Sequence, residues 1–145
     1  MSEVATAKTV SEVRPTFAKS LKASLVGGIV AGIIFGLLMQ MMGRMGMVAG
    51  LMGSESIAVG WIVHMAISIV FALGFGAAAV FTSKTYLLGV VHGIAIWIIG
   101  PLLVMPAMMG MGTMIGQAFT SGQMMNLGTH LMFSLILAFV YKKAR

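Results

Sequence analysis

The chain carries only three histidines, His64, His92 and His130, beside sixteen methionines and no cysteine. Without cysteine, disulfides and thiolate ligands are excluded, so any soft sulfur ligand must be a thioether. Thioether sulfur is neutral and polarisable. It selects Cu(I) and Ag(I) over harder ions, and imidazole also binds copper. The spacing favours such chemistry. Met41 and Met45 form one Met-x3-Met pair, and Met105 and Met109 form another; residues four apart share a helix face. His64 and His130 each open a His-x3-Ser-x3-Ala element, continued by Ser68 and Ala72 and by Ser134 and Ala138. Imidazole and thioether ligands would hold a monovalent soft cation without bringing net negative charge into an apolar medium. His64, His130, Met41, Met45, Met105 and Met109 are therefore the candidate ligands of a Cu(I) binding, transport or delivery site.

Two other uses fit the same residues. Paired histidines at matched depth on different helices would ligate a b-type haem, with His64 and His130 as axial ligands and the methionines incidental. Methionine is also flexible filler for irregular contacts, so a Met-rich end equally suits an accessory subunit, or one copy of a homo-oligomer, packed into a larger membrane complex. The Met-x3-Met pattern resembles the filter of the Ctr copper transporters, but only over that short pattern, because that family has three spans. Enzyme chemistry finds no support. No carboxylate falls within a predicted span, and no nucleophile has a base with an orienting acid. The glycines form no phosphate loop in a strand–helix context.

These side chains are positioned in lipid. From Thr85 to Tyr141 there is no Asp, Glu, Lys or Arg, and the whole chain is 59% hydrophobic and 8% charged, outside the soluble globular class. A membrane span needs about 20 apolar residues. Ala23–Gly43, Ser56–Ser83 and Thr85–Tyr141 are uncharged runs of that length or more, and the third divides at the polar, Gly-containing stretch Gly110–Asn126. The expectation is an all-α, four-helix transmembrane bundle, with spans near Leu21–Met42, Ile57–Phe81, Tyr86–Met109 and Met125–Tyr141. Transmembrane strands would alternate apolar and polar residues, and these runs do not. Residues 1–20 precede a single transmembrane domain, 21–145. Val10, Val13, Phe17 and Leu21 are spaced for a short amphipathic helix on the membrane surface. No removable signal is expected, since a long polar segment precedes the first apolar run.

Charge sets the expected orientation. Lys8, Arg14, Lys19, Lys22, Lys84, Lys142, Lys143 and Arg145 fall on one side of a four-span chain, and only Arg44 falls on the other, near Glu55. The positive-inside rule places both termini in the cytoplasm of an inner-membrane protein. The net charge of +6 is then a topology signal. Its basic residues, split among three segments, do not form a nucleic-acid surface. Tyr86 and Tyr141 suit an inner interfacial belt and Trp61 an outer one.

Internal matches suggest a duplication of two parallel hairpins, about 21–83 and 84–145. A shift of 64 aligns spans one and three, and a shift of 66 aligns His64, Ser68 and Ala72 with His130, Ser134 and Ala138. Such symmetry is of the parallel kind known in transporters. Gly28, Gly32 and Gly36, and Gly89 and Gly93, form small-residue stripes for close helix packing. Pro101 and Pro106 interrupt span three, each removing a backbone donor. His92 stands roughly 10 Å from the loop between spans two and three and His64 roughly 27 Å, at 1.5 Å per residue. His92 therefore does not share a metal with His64 and is expected to hydrogen-bond within the bundle. Ser68 and Ser134 are expected to bond carbonyls of their own helices, and Gln40 and Arg44 to reach interfacial water.

The run His92–Gly110, HGIAIWIIGPLLVMPAMMG, resembles the Gly-Pro, Leu-rich, Met-Pro segment of small four-span bacterial inner-membrane proteins of the YagU-like group. The resemblance covers mainly span three. It implies a prokaryotic inner-membrane protein and brings no catalytic residues.

Overall fold

The computed structural model describes residues 14–145. Val10 and Val13 of the amphipathic segment lie outside the described residues, whereas Phe17 and Leu21 belong to the first turns of a spanning helix. Four helices are long and apolar enough to cross a membrane: Phe17–Met41, Ile57–Ala79, Thr85–Met108 and Ser121–Ala144. At 1.5 Å per residue the 24 residues of the third rise about 36 Å, enough for a hydrocarbon core of about 30 Å. The protein is a small, multi-pass, all-α integral membrane protein, and no strand occurs among the described residues.

In chain order the elements are α1 (Phe17–Met41), α2 (Met45–Gly50), α3 (Ile57–Ala79), α4 (Thr85–Trp97), a π-helical segment (Ile98–Val104), α5 (Met105–Met108), a short 3-10 helix (Ile115–Gln117) and α6 (Ser121–Ala144). Local chemistry sets the ends. Thr16 caps α1 by accepting from the Lys19 amide, and Thr120 caps α6 by accepting from Gln123. That cap starts span four at Ser121, earlier than hydropathy alone suggested. Gly43, at φ +69°, stops α1. Its amide bonds the Gln40 carbonyl, and the Arg44 amide bonds Met39 O, the paired bonds of a Schellman cap. Gly110 ends α5 in the same manner.

Proline explains the irregular third span. Pro101 lies inside the π-helical turn, where a widened backbone accommodates its ring and missing donor. Pro106 deprives Leu102 O of the amide four residues ahead. The loop beyond α5 folds back, and Met114 N–H supplies that bond at 2.8 Å. Lipid could not have done so.

The helices form an open ring in the order α3, α1, α6, α4. Neighbouring glycines on α1 admit both partners. A methyl at Gly28 would overlap the Ala72 side chain of α3, and one at Gly27 would press on Leu137 of α6. Gly89 and Gly93 meet Ala138, Ser134 and Leu131, so the second stripe seats α4 on α6. The core follows these contacts: Ala31, Phe35, Ala72, Phe75, Phe133, Leu137 and Tyr141 are buried together. Tyr141 is not an interfacial residue. It is fully buried (0% exposed), and its hydroxyl donates to Ser20 Oγ, which donates to Gly76 O, both at 2.7 Å. Tyr86 does lie at the surface, with Lys142 over its ring.

The fourth side of the ring is loose. α3 and α4 touch least among the four neighbouring pairs of long helices, although α1 and α6, their mates under two-hairpin symmetry, pack tightly. The glycine stripes do present equivalent contacts, since Gly28 rests on Ala72 and Ser68 much as Gly89 rests on Ala138 and Ser134.

Candidate functional site

Where α3 and the third span part, they leave a cleft of about 430 Å³. Val63, Ile67 and Phe71 of α3 form one wall, and Ile99, Pro101 and Met105 of the third span face them. Phe35 and Met39 of α1 and His130 and Phe133 of α6 form the back, and Val48 of α2 and Met52 of the turn after it lie near the end that carries Arg44. Rim residues Val70, Ile99, Val104 and Met108 are exposed on the apolar flank of the bundle. The cleft therefore opens sideways, toward lipid.

Phe71 of its wall is held by a three-helix clamp. His92 Nε2 lies 2.9 Å from Phe71 O, and Nδ1 lies 2.8 Å from Ser134 Oγ. A carbonyl only accepts, so Nε2 carries the proton and donates to Phe71 O; Nδ1 accepts from the Ser134 hydroxyl. The clamp joins α6, α4 and α3. His92 is thus bonded within the bundle, as expected, while Ser134 turns to a neighbouring helix instead of its own. For Ser68 no hydrogen bond is formed among the described residues, and it lines the cleft.

His64 and His130 both line the cleft. Both rings pack edge-on against Phe35, with centroids 5.4 and 5.3 Å away, so the two imidazoles are no farther apart than the sum of those distances. His64 is 5% exposed, and its Nε2–H donates to Gly32 O at 2.8 Å. With no side chain at Gly32 or Gly36, that carbonyl is uncovered. His130 Nδ1–H donates to Asn126 O, one turn back, at 2.7 Å. Each neutral ring then keeps one lone pair, on His64 Nδ1 and His130 Nε2. Neither atom is sealed off, because Trp97 Nε1 is the only buried side-chain nitrogen or oxygen lacking a partner among the described residues. Trp97 itself does not line the cleft.

The methionine pairs do not assemble as their spacing suggested. Gly43 separates Met41 from Met45 into different helices. Met41 is 84% exposed, whereas Met45 is 1% exposed and lies against Gly60. Met105 lines the cleft, but Met109, beyond the end of α5, is 47% exposed and does not. The thioethers that accompany the histidines are those of Met39, Met52, Met105 and Met108. Met39 carried a usable signal: it stands one turn after Phe35 on the same helix face. Among the described residues no group of three or more His, Asp or Glu side chains could hold a metal ion. Any metal here would rest on two imidazoles and thioether sulfur.

A polar chain reaches His130 from the loop end. Arg44 donates to Asn126 Oδ1 at 2.5 Å, and Asn126 also donates to Gln123 Oε1. Trp61, edge-on to His64, donates its indole N–H to Gln40 Oε1 at 2.6 Å. Gln40 and Arg44 are thus engaged in the bundle and are not limited to interfacial water.

No family model matches the chain, and no curated protein or solved structure matches it either.

Proposed function

We propose that the protein binds a neutral lipophilic molecule that enters from the bilayer through the gap between α3 and the third span. The observation that carries this reading is the make-up of the cleft: about 430 Å³, apolar, rimmed by lipid-facing side chains, with His64, His130 and Ser68 as its polar groups. Small-molecule sites are typically of roughly 300–1,000 Å³ and combine apolar walls with a few placed polar groups. No acidic or basic side chain except the histidines lines the cleft, so a charged ligand would be buried without compensation. The lysines at the terminal end favour an inner-membrane protein with both termini in the cytoplasm. The test is native mass spectrometry on protein released gently from membranes. A neutral lipophile should remain on the wild type and be lost from Ala66→Phe, which places a ring at the cleft wall. Absence of a retained molecule, together with no saturable binding of an added alkylphenol, would reject the reading.

A soft-metal site is the second reading. It is favoured by the two histidines, each donating one N–H to a backbone carbonyl as metal-ligating histidines do, beside four thioethers. It moves the sulfur ligands from Met41, Met45 and Met109 to Met39, Met52 and Met108, keeping Met105. Because Phe35 packs on both rings, Cu(I) binding would require the imidazoles to close on the ion. Ag(I) titration with elemental analysis decides it: retained metal that disappears in His64→Phe/His130→Phe supports the site. A bis-His haem would need Phe35 displaced, and an absorption spectrum tests for its Soret band. The exposed Met41 and Phe119 suit a contact with another membrane subunit, tested by co-purification.

A further inference from the structure

We infer that the occupant of the cleft is a neutral lipophile carrying a hydrogen-bond donor, such as an alcohol, a phenol or a hydroquinone, and not one that only accepts, such as a quinone, an ester or an ether. This rests on the reading of the cleft as a ligand site and deepens it. The argument is a count of protons. Each neutral imidazole has one N–H and one lone pair. His64 commits its N–H to Gly32 O, and His130 commits its own to Asn126 O. A carbonyl cannot donate, so the protonation of both rings is fixed by their partners. What remains for a ligand is two lone pairs, His64 Nδ1 and His130 Nε2, on the two rings that flank Phe35.

The other polar features do not reverse this bias. Ser68 has a hydroxyl, which both gives and accepts. Pro101, on the facing wall, subtracts a backbone N–H. His92 does not line the cleft and has both nitrogens engaged. Trp61 and Arg44 approach this end of the bundle but direct their N–H groups to Gln40 and Asn126. A ligand offering only carbonyl or ether oxygens would leave both imidazole lone pairs unmatched in an apolar cavity. One offering an O–H satisfies at least one of them. In low dielectric that bond is stronger than in water.

The experiment uses the full chain in detergent micelles and a matched pair of probes, 4-nonylphenol and 4-nonylanisole, which differ by a methyl on the oxygen. Trp61, whose ring centre is 6.1 Å from that of His64, reports binding by fluorescence excited at about 295 nm, above phenol absorption. The expected result is phenol binding at least about tenfold tighter than the ether, the difference one hydrogen bond supplies. In His64→Phe/His130→Phe, which keeps aromatic rings on Phe35, the preference should shrink to within about threefold. Equal binding of the two probes to the wild type overturns the inference while leaving the cleft as a lipophile site. A phenol preference undiminished in the folded double variant also overturns it. Failure of both probes to saturate removes the ligand site itself. The wild-type comparison decides the donor question even where the double variant does not fold.

Discussion

Two seams of the bundle, α1 against α6 and α3 against α4, occupy equivalent places in a two-hairpin arrangement and have opposite character. The first is closed by residues with little or no side chain, Gly27 and Ala31, which let Leu137 and Tyr141 sink to full burial. The second is held apart by Ile67 and Phe71 on one side and by Ile99 and Met105 on the other, with a π-helical turn widening the third span between them. In lipid there is little hydrophobic gain from helix contact, so close approach depends on small residues and hydrogen bonds. A seam without glycines in close contact across it stays open to lipid, and its polar groups become available to whatever enters.

The comparison is broken most forcefully at α1. Gly27→Leu would drive a side chain into Leu137 and against the backbone of Leu137 and Tyr141 of α6, both fully buried. Overpacking of a tight site costs about 1–3 kcal/mol and sometimes more. With backbone-level contact here, the upper end or loss of the folded bundle is expected. Unfolding in mixed detergent micelles measures it, and a loss below about 0.5 kcal/mol would mean that the seam is not close-packed.

Much of this architecture is legible from residue types. The uncharged runs predicted four spans because lipid tolerates no other use of them, and the glycine stripes correctly marked close seams. His64 and His130 share an environment because each follows from helical register at similar depth. The methionine pairs failed for a local reason. Four-residue spacing implies a shared face only within one helix, and Gly43, in left-handed conformation, ends the helix between Met41 and Met45. The burial of Tyr141 was missed because an amphipathic side chain near a helix end reads as interfacial, while its partner Ser20 lies at the far end of the sequence. The cleft itself has no sequence signature. It arises from a loose α3–α4 seam, which is a property of packing.

The clamp at the boundary between closed and open regions sharpens the contrast. Ser134→Ala leaves His92 Nδ1 with a buried, unmatched lone pair while Phe71 O keeps its donor. A loss of about 1–2 kcal/mol is expected. Because the clamp holds Phe71, which lines the cleft, probe binding should weaken as well. Tyr141→Phe acts only within the closed region. Ser20 retains Gly76 O as its acceptor, so the loss should be near 0.6 kcal/mol, the average for interhelical hydrogen bonds in membranes, with probe binding unchanged. A change in probe affinity with Tyr141→Phe would show the two regions to be coupled.

The smallest effect on stability, and the most telling one, is expected at Gly100. This glycine lines the cleft, and a Cβ built there meets nothing within 4 Å. Gly100→Leu is the same substitution as Gly27→Leu, placed on the open seam. Its Cβ meets no neighbour, and leucine is favoured over glycine in helical backbone by up to about 1 kcal/mol. The π-helical turn and Pro101 reduce that advantage, so stability should change by less than about 0.5 kcal/mol. Probe binding, in contrast, should fall by at least about tenfold, because the new side chain occupies volume otherwise available to the ligand. If Gly100→Leu destabilised the protein as severely as Gly27→Leu, the gap between α3 and the third span would be closed in the membrane, and the distinction between the seams would vanish. If it left both stability and binding unchanged, the ligand would have to sit elsewhere than beside the π-helical turn.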